Sequence, residues 1–243
     1  MVDELGKENQ AEWRNTDRLK LRLRGRPPLY EEPDGESKNG WFAGRRIIGR
    51  DTPINGGVYL GSGKREAIVV DGQKYPQELN ETYSELRRMM SLPSSVRGGK
   101  SILEMVYDIS GSRLGGNINE EEFNRRTQGL RFQITGRASS TWEGNIEDVK
   151  VTLNDFMRLK AGVCRHRALL AGYLLERLIN EGVLKGRVSV DRNTVRGRGG
   201  HAWARYETPE RRVFIIDPSL GYVGRLDKAP KTKDGWSYAR PQV

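Results

Sequence analysis

The chain contains one cysteine, Cys164, and two histidines, His166 and His201, so any chemistry that needs a thiol or an imidazole must run through these three positions. Cys164 follows Ala161-Gly162-Val163. It opens the run Arg165-His166-Arg167-Ala168-Leu169-Leu170-Ala171-Gly172-Tyr173-Leu174-Leu175. That run is apolar on most faces until Glu176-Arg177, as expected of a buried central helix. A thiol at such a helix start meets unpaired backbone N–H groups and the positive end of the helix dipole, and both favour the thiolate. The same N–H groups can donate to an oxyanion. The chemistry implied is attack by sulfur on a carbonyl carbon. A lone cysteine also has the look of an inert, small, buried residue, so position alone does not decide.

The second histidine weighs on that choice. His201 to Tyr206 and Val213 to Asp217 read as two strands joined by a turn around Thr208-Pro209-Glu210. Counted outward from Pro209, residue 201 faces residue 217, and directly opposed residues bring their Cβ atoms to about 4.5–5.5 Å. The Asp217 carboxylate would then accept from one imidazole nitrogen and fix the tautomer, leaving the other nitrogen to act as base. An exposed His–Asp pair without a role fits the same spacing, and a bulge in the hairpin would break the count. The expected catalytic set is Cys164 as nucleophile, His201 as base and Asp217 as the residue that orients the base.

Other residues are candidates for binding substrate. Trp203, close after the base, would wall the site or serve as a core aromatic. Arg196 and Arg198 lie in the glycine- and arginine-rich loop before His201, where they would meet an acidic substrate or simply be solvated. The Cys164 N–H is one oxyanion donor; Trp142 and Asn154 are candidates for the second. With two histidines and no second cysteine, a zinc site would need acidic ligands to complete it, so no metal and no cofactor are expected.

Three blocks, Gly162-Val163-Cys164-Arg165, Gly200-His201-Ala202-Trp203 and Ile216-Asp217-Pro218-Ser219, resemble those of the transglutaminase-like superfamily, in that family's order. The longer stretch from Gly162 to Leu170 also resembles the transglutaminase-like segment in the regulatory regions of plant Raf-like kinases. The resemblance covers residues 150 to 225, with a weaker helical correspondence from residue 76. It implies an α+β, papain-like fold, with the Cys helix packed on an antiparallel sheet that carries the His and Asp. It also implies an acyl-enzyme route shared by peptide-bond hydrolysis, Gln–Lys crosslinking, deamidation and glycoprotein deglycosylation. The family's nucleophile, base and orienting residue fall on Cys164, His201 and Asp217. One departure is His166, where Asp is commoner; on the Cys helix it reads as a surface or packing residue.

The elements that would position these residues can be read coarsely. Residues 1–40 are a polar, flexible extension, in which Leu19, Leu21 and Leu23 alternate like a short docking strand. Residues 41–75 form a small β-rich element with runs at Ile47-Ile48, Val58 to Leu60 and Ala67 to Val70. Residues 76–243 form the catalytic domain. There Leu79, Tyr83, Leu86 and Met90 predict a helix opened by Pro76, and further helices are expected over Ser101 to Ile109 and Glu120 to Thr127. Leu130, Phe132 and Ile134 alternate as in a strand. Thr152 and Asp155 form a capping box for a helix that Ala161-Gly162 breaks. The Cys helix should end near Gly182, and Arg187 to Asp191 reads as a strand.

A net charge of +10 raises nucleic acid or anionic membrane as partners. No recognised nucleic-acid module accompanies the charge, so only nonspecific binding is expected from it. No N-terminal signal or membrane span is visible, which makes the cytoplasm the expected compartment, with signal-independent export left open. The expected activity is that of a cysteine protease or amidase acting on a protein or peptide. A protein-glutamine transglutaminase or deamidase is the enzymatic alternative. A non-catalytic regulatory or protein-binding module on the same fold is the other alternative.

Overall fold

The computed structural model describes residues 30–31, 34, 36–60, 67–141, 151–195, 199–230 and 237–240. Among these the architecture is α+β, with five helices and three small sheets.

The N-terminal strands β1 (Tyr30–Glu31), β2 (Trp41–Phe42) and β3 (Arg45–Arg46) form an antiparallel sheet. A second sheet holds β4 (Gly57–Leu60), β5 (Ala67–Val70) and β6 (Val151–Thr152). Here β4 and β5 are antiparallel, and β5 and β6 are parallel. Its side chains alternate between two destinations, as the period of two in a strand requires. Tyr59, Ile68 and Val70 enter the main core, while Val58, Leu60 and Val69 form a separate cluster with Phe42 and Ile47. The N-terminal β-region is thus packed into the same core as the Cys helix.

Helix α1 (Gln77–Ser91) begins after Pro76, whose fixed φ and missing N–H suit a helix start. Helix α2 (Ile102–Ser112) carries a capping box: Ser101 N–H donates to Glu104 at 2.7 Å, and Glu104 N–H donates to Ser101 Oγ at 3.3 Å. Helix α3 spans Glu120–Thr141. The strand expected at Leu130, Phe132 and Ile134 is absent, and the chain stays helical there. Three alternating residues are a short signal; Leu130 and Ile134 are also four apart, and Arg, Gln and Ala around them are good helix formers. Helix α4 (Leu153–Arg158) has the expected Thr152–Asp155 capping box, with Thr152 N–H donating to Asp155 at 2.8 Å.

Helix α5 (Cys164–Asn180) is the centre of the molecule. Ala168, Leu169, Leu170, Ala171, Leu174, Leu175 and Leu178 are completely buried. It packs on a four-stranded antiparallel sheet of β7 (Arg187–Val195), β8 (Gly199–Glu207), β9 (Val213–Asp217) and β10 (Tyr222–Arg225), ordered β10-β9-β8-β7. Gly172 makes the approach possible, because a Cβ there would lie 2.6 Å from Ile54 Cδ1 and 3.1 Å from Val190 Cγ2. Glu176 ties the N-terminal region to the same helix, accepting from the Ile54 and Asn55 backbone N–H groups at 2.8 and 2.7 Å. Burial pushes its carboxyl pKa up, against the pull of those two donors. Gly182, at φ 73°, ends the helix, and Val183 N–H caps the Leu178 carbonyl at 2.9 Å. No helix among the described residues is long and apolar enough to cross a membrane.

Candidate active site

The approach to Cys164 is tightly built. Helix α4 closes with Lys160 in the left-handed region at φ 47°, and Ala161 N–H donates to Phe156 O at 2.9 Å. Gly162 follows in a space with no room for a side chain, since a Cβ would lie 2.7 Å from Leu114 Cβ. Val163 is extended, and α5 starts at Cys164. As the first helical residue, Cys164 keeps a backbone N–H that the helix does not use.

His166 serves this helix start. Its Nδ1 accepts from the Val163 N–H at 3.1 Å, so that nitrogen carries no proton. Its ring is completely buried, with its centroid 3.9 Å from that of Phe156 and 5.8 Å from that of Phe123. It is therefore a capping and packing residue and makes the Cys helix begin where it does.

His201 on β8 lies close enough to the half-buried Cys164 thiol for each to shift the other's pKa. Its Nε2 lies 2.5 Å from Asp217 Oδ2. With Nε2 taken, Nδ1 is the ring nitrogen left to face sulfur. Asp217 is 1% exposed and accepts from four donors. Ser219 and Leu220 N–H reach Oδ1 at 3.0 and 3.1 Å; His201 and the Tyr238 hydroxyl reach Oδ2, the latter at 2.8 Å. Both carboxylate oxygens are thus engaged as acceptors, which fixes the side chain in place.

The hairpin register differs from the sequence count. Ala204 pairs with Ile216 and Glu207 with Val213, so the ladder continues toward Trp203, and not His201, opposite Asp217. The loop runs from Thr208 to Arg212, with Thr208 N–H bonded to Arg212 O at 2.9 Å and Arg211 at φ 62°. That extra length moves the centre of the turn and shifts the pairing by two. A slip of two keeps every side chain on its face, so the His201–Asp217 contact forms diagonally.

Electrostatics favour a thiolate–imidazolium pair. Burial alone would raise the Cys164 pKa. The His201 hydrogen bond and charge, the Ala202 backbone N–H and the Arg165 charge outweigh it and hold the thiol below its ordinary value. Burial alone would lower the His201 pKa, but Asp217 and Cys164 raise it to about 9. The buried Arg167 adds a nearby positive charge. Burial pushes its pKa down, while Cys164 and Asp217 push it back up. Its guanidinium is held by the Gly116 carbonyl, and by Asn117 Oδ1 and Ser219 Oγ at 3.3 Å each.

Of the residues expected to bind substrate, Arg196, Arg198 and Trp142 lie outside the described residues. Trp203 is 1% exposed, with its ring 5.9 Å from His201 and stacked on it. It supports the imidazole from inside and offers no surface to a substrate. Asn154 gives its side-chain N–H to Tyr75 O at 2.8 Å, which fixes the chain ahead of α1. It is thus engaged away from the role of second oxyanion donor.

Three participants escaped the sequence reading. The Ala202 backbone N–H helps to hold the Cys164 thiol below its ordinary pKa. Asn193, paired with His201 across β7 and β8, holds Ser237 O at 2.8 Å. Tyr238 reaches Asp217 from 21 residues away. Only the Gly-His-Ala-Trp block hinted at the first, and no local pattern marks the other two.

Among the described residues no cluster of three or more His, Cys, Asp or Glu forms a metal-binding group. No family model, curated protein or solved structure matches the chain.

Proposed function

We propose that the chain is a thiol-dependent hydrolase that cleaves amide bonds in a protein or peptide, on a papain-like, transglutaminase-like plan. One observation carries the reading: Cys164 starts the buried helix α5 close to His201, which Asp217 holds at 2.5 Å. The packing of α5 on the antiparallel β7–β10 sheet supports the same plan.

The steps follow from the geometry. The Cys164 thiolate attacks the amide carbonyl carbon, and the π electrons move to oxygen. The unused Cys164 N–H at the helix start stabilises that oxyanion. His201, charged at neutral pH, gives its proton to the leaving amine as the C–N bond breaks. An acyl-enzyme remains. Neutral His201 then takes a proton from water, whose oxygen attacks the thioester, and the acid product leaves as Cys164 returns to thiolate and His201 to imidazolium. Asp217 stays ionised and keeps the ring in one tautomer throughout.

The test is mass spectrometry of a protein pool incubated with wild type or with Cys164→Ala. New chain termini with wild type alone are the expected result. Amine incorporation or Gln-to-Glu conversion without cleavage would move the assignment to acyl transfer or deamidation. Identical spectra from the two proteins would reject the reading.

A further inference from the structure

Asp217 Oδ2 is shared. His201 Nε2 holds it at 2.5 Å, and the Tyr238 hydroxyl donates to it at 2.8 Å. Tyr238 sits in the segment Ser237 to Arg240, which is pinned on both sides of the tyrosine. Before it, Asn193 Nδ2 donates to Ser237 O at 2.8 Å. After it, Arg240 donates to both oxygens of Asp191 at 2.8 Å, to Ser189 Oγ at 2.8 Å, and to Asp51 at 3.0 and 2.9 Å. The Tyr238 ring is itself fixed: it meets Trp203 edge-on at 5.1 Å and stacks on Tyr222 at 5.9 Å. Packing therefore aims the hydroxyl at the oxygen that faces the imidazole.

We infer that Tyr238 is a positioning residue that sets the acidity of the His201 imidazolium through Asp217. The inference rests on the Cys–His–Asp reading above. A hydrogen bond donated to Oδ2 draws negative charge from the oxygen that stabilises the imidazolium. The imidazolium is then held less tightly and releases its proton more readily. That matters for catalysis, because His201 must keep its proton beside the thiolate and then surrender it to a leaving amine; an imidazolium that is too basic is a poor acid. Tyr238 stays protonated itself, since burial and the neighbouring carboxylate raise its pKa far above the ordinary phenol range. Arg240 contributes by locking the segment onto β7, so the tuning hydroxyl depends on an anchor at Asp191.

The experiment is an NMR titration of the His201 ring proton in wild type and Tyr238→Phe. With two histidines in the chain, His201→Ala assigns the signal. Phe keeps the ring contacts with Trp203 and Tyr222 and removes only the O–H. The His201 pKa is expected to rise in Tyr238→Phe by about half a unit to one unit. A pKa that stays still or falls overturns the inference. Wild type provides the second arm, through alkylation of Cys164 by iodoacetamide. If wild-type His201 titrates at its ordinary value and Cys164 reacts no faster than a model thiol, the triad reading and this inference fall together. If wild type shows a raised His201 and a fast thiol while Tyr238→Phe leaves His201 unmoved, only the role of Tyr238 fails.

Discussion

His201 Nε2 and Asp217 Oδ2 meet at 2.5 Å diagonally, beyond the last described rung of the β8–β9 ladder, where Ala204 pairs with Ile216. A diagonal neighbour across a strand pair is farther away than an opposed one, so the contact depends on Asp217 being held in place. Three donors besides His201 hold it: the Ser219 and Leu220 N–H groups and the Tyr238 hydroxyl. Asp217→Asn removes the charge and can present an N–H to Nε2, which favours the wrong tautomer. The His201 pKa is expected to fall from about 9 toward its ordinary value, and kcat/KM by a factor on the order of 10²–10⁴. NMR titration and steady-state rates on a cleaved substrate check both.

The pH dependence follows from the same pair. In the proposed mechanism the reactive form carries a thiolate and an imidazolium. Cys164 is depressed below the ordinary thiol value, so activity rises with pH below the range in which an ordinary thiol ionises. His201 is raised, so activity falls as pH climbs through about 9. The two limbs belong to the coupled pair and not to either residue alone. A profile of kcat/KM against pH should be a broad bell with its alkaline limb near 9. An alkaline limb near the ordinary histidine value would contradict the ion pair.

The legible parts of this site were those built from local pattern. The apolar run after Cys164 announced α5, and Gly162 announced the break before it, because helix burial and helix stops are encoded within a few residues. The β8–β9 face was legible because alternation survives a slip of two; the register was not, because Arg211 at positive φ lengthens the turn without any Gly or Asn to signal it. The helical continuation of α3 was hidden by three residues that fit either period. Tyr238 and Arg240 were invisible, because their partners Asp217 and Asp191 lie 21 and 49 residues away. Such contacts are tertiary, and nothing in Ser237-Tyr238-Ala239-Arg240 repeats or alternates.

Gly162 offers a test of how closely the helix start is set. A Cβ at that position would meet Leu114 Cβ at 2.7 Å, and Leu114 is itself fully buried. The contact is with the root of a side chain, which cannot swing aside. Gly162→Ala must therefore displace either the end of α2 or the residues leading to Cys164. A loss of about 1–3 kcal/mol in stability is expected from overpacking of this kind, read as a lower denaturant midpoint. Alkylation of Cys164 should slow as well, since the thiol moves relative to His201. An unchanged midpoint would mean that the loop has slack the geometry does not suggest.

Arg240 tests the anchor beneath Tyr238. Asp191 is completely buried, and Arg240 supplies hydrogen bonds to both of its oxygens; Ser189 Oγ adds one at 2.9 Å. Arg205 lies near enough to feel the Asp191 charge, but burial is the largest influence on it and lowers its pKa. Arg240→Ala leaves a buried carboxylate with most of its compensation gone, which is expected to cost about 3–5 kcal/mol. Replacing Asp191 with Ala as well removes the stranded charge, so the double variant should be more stable than the two single losses added together. Equilibrium denaturation of the four proteins gives that coupling directly. A double variant whose loss equals the sum would show that Arg240 and Asp191 act independently, and the segment carrying Tyr238 would then need another anchor.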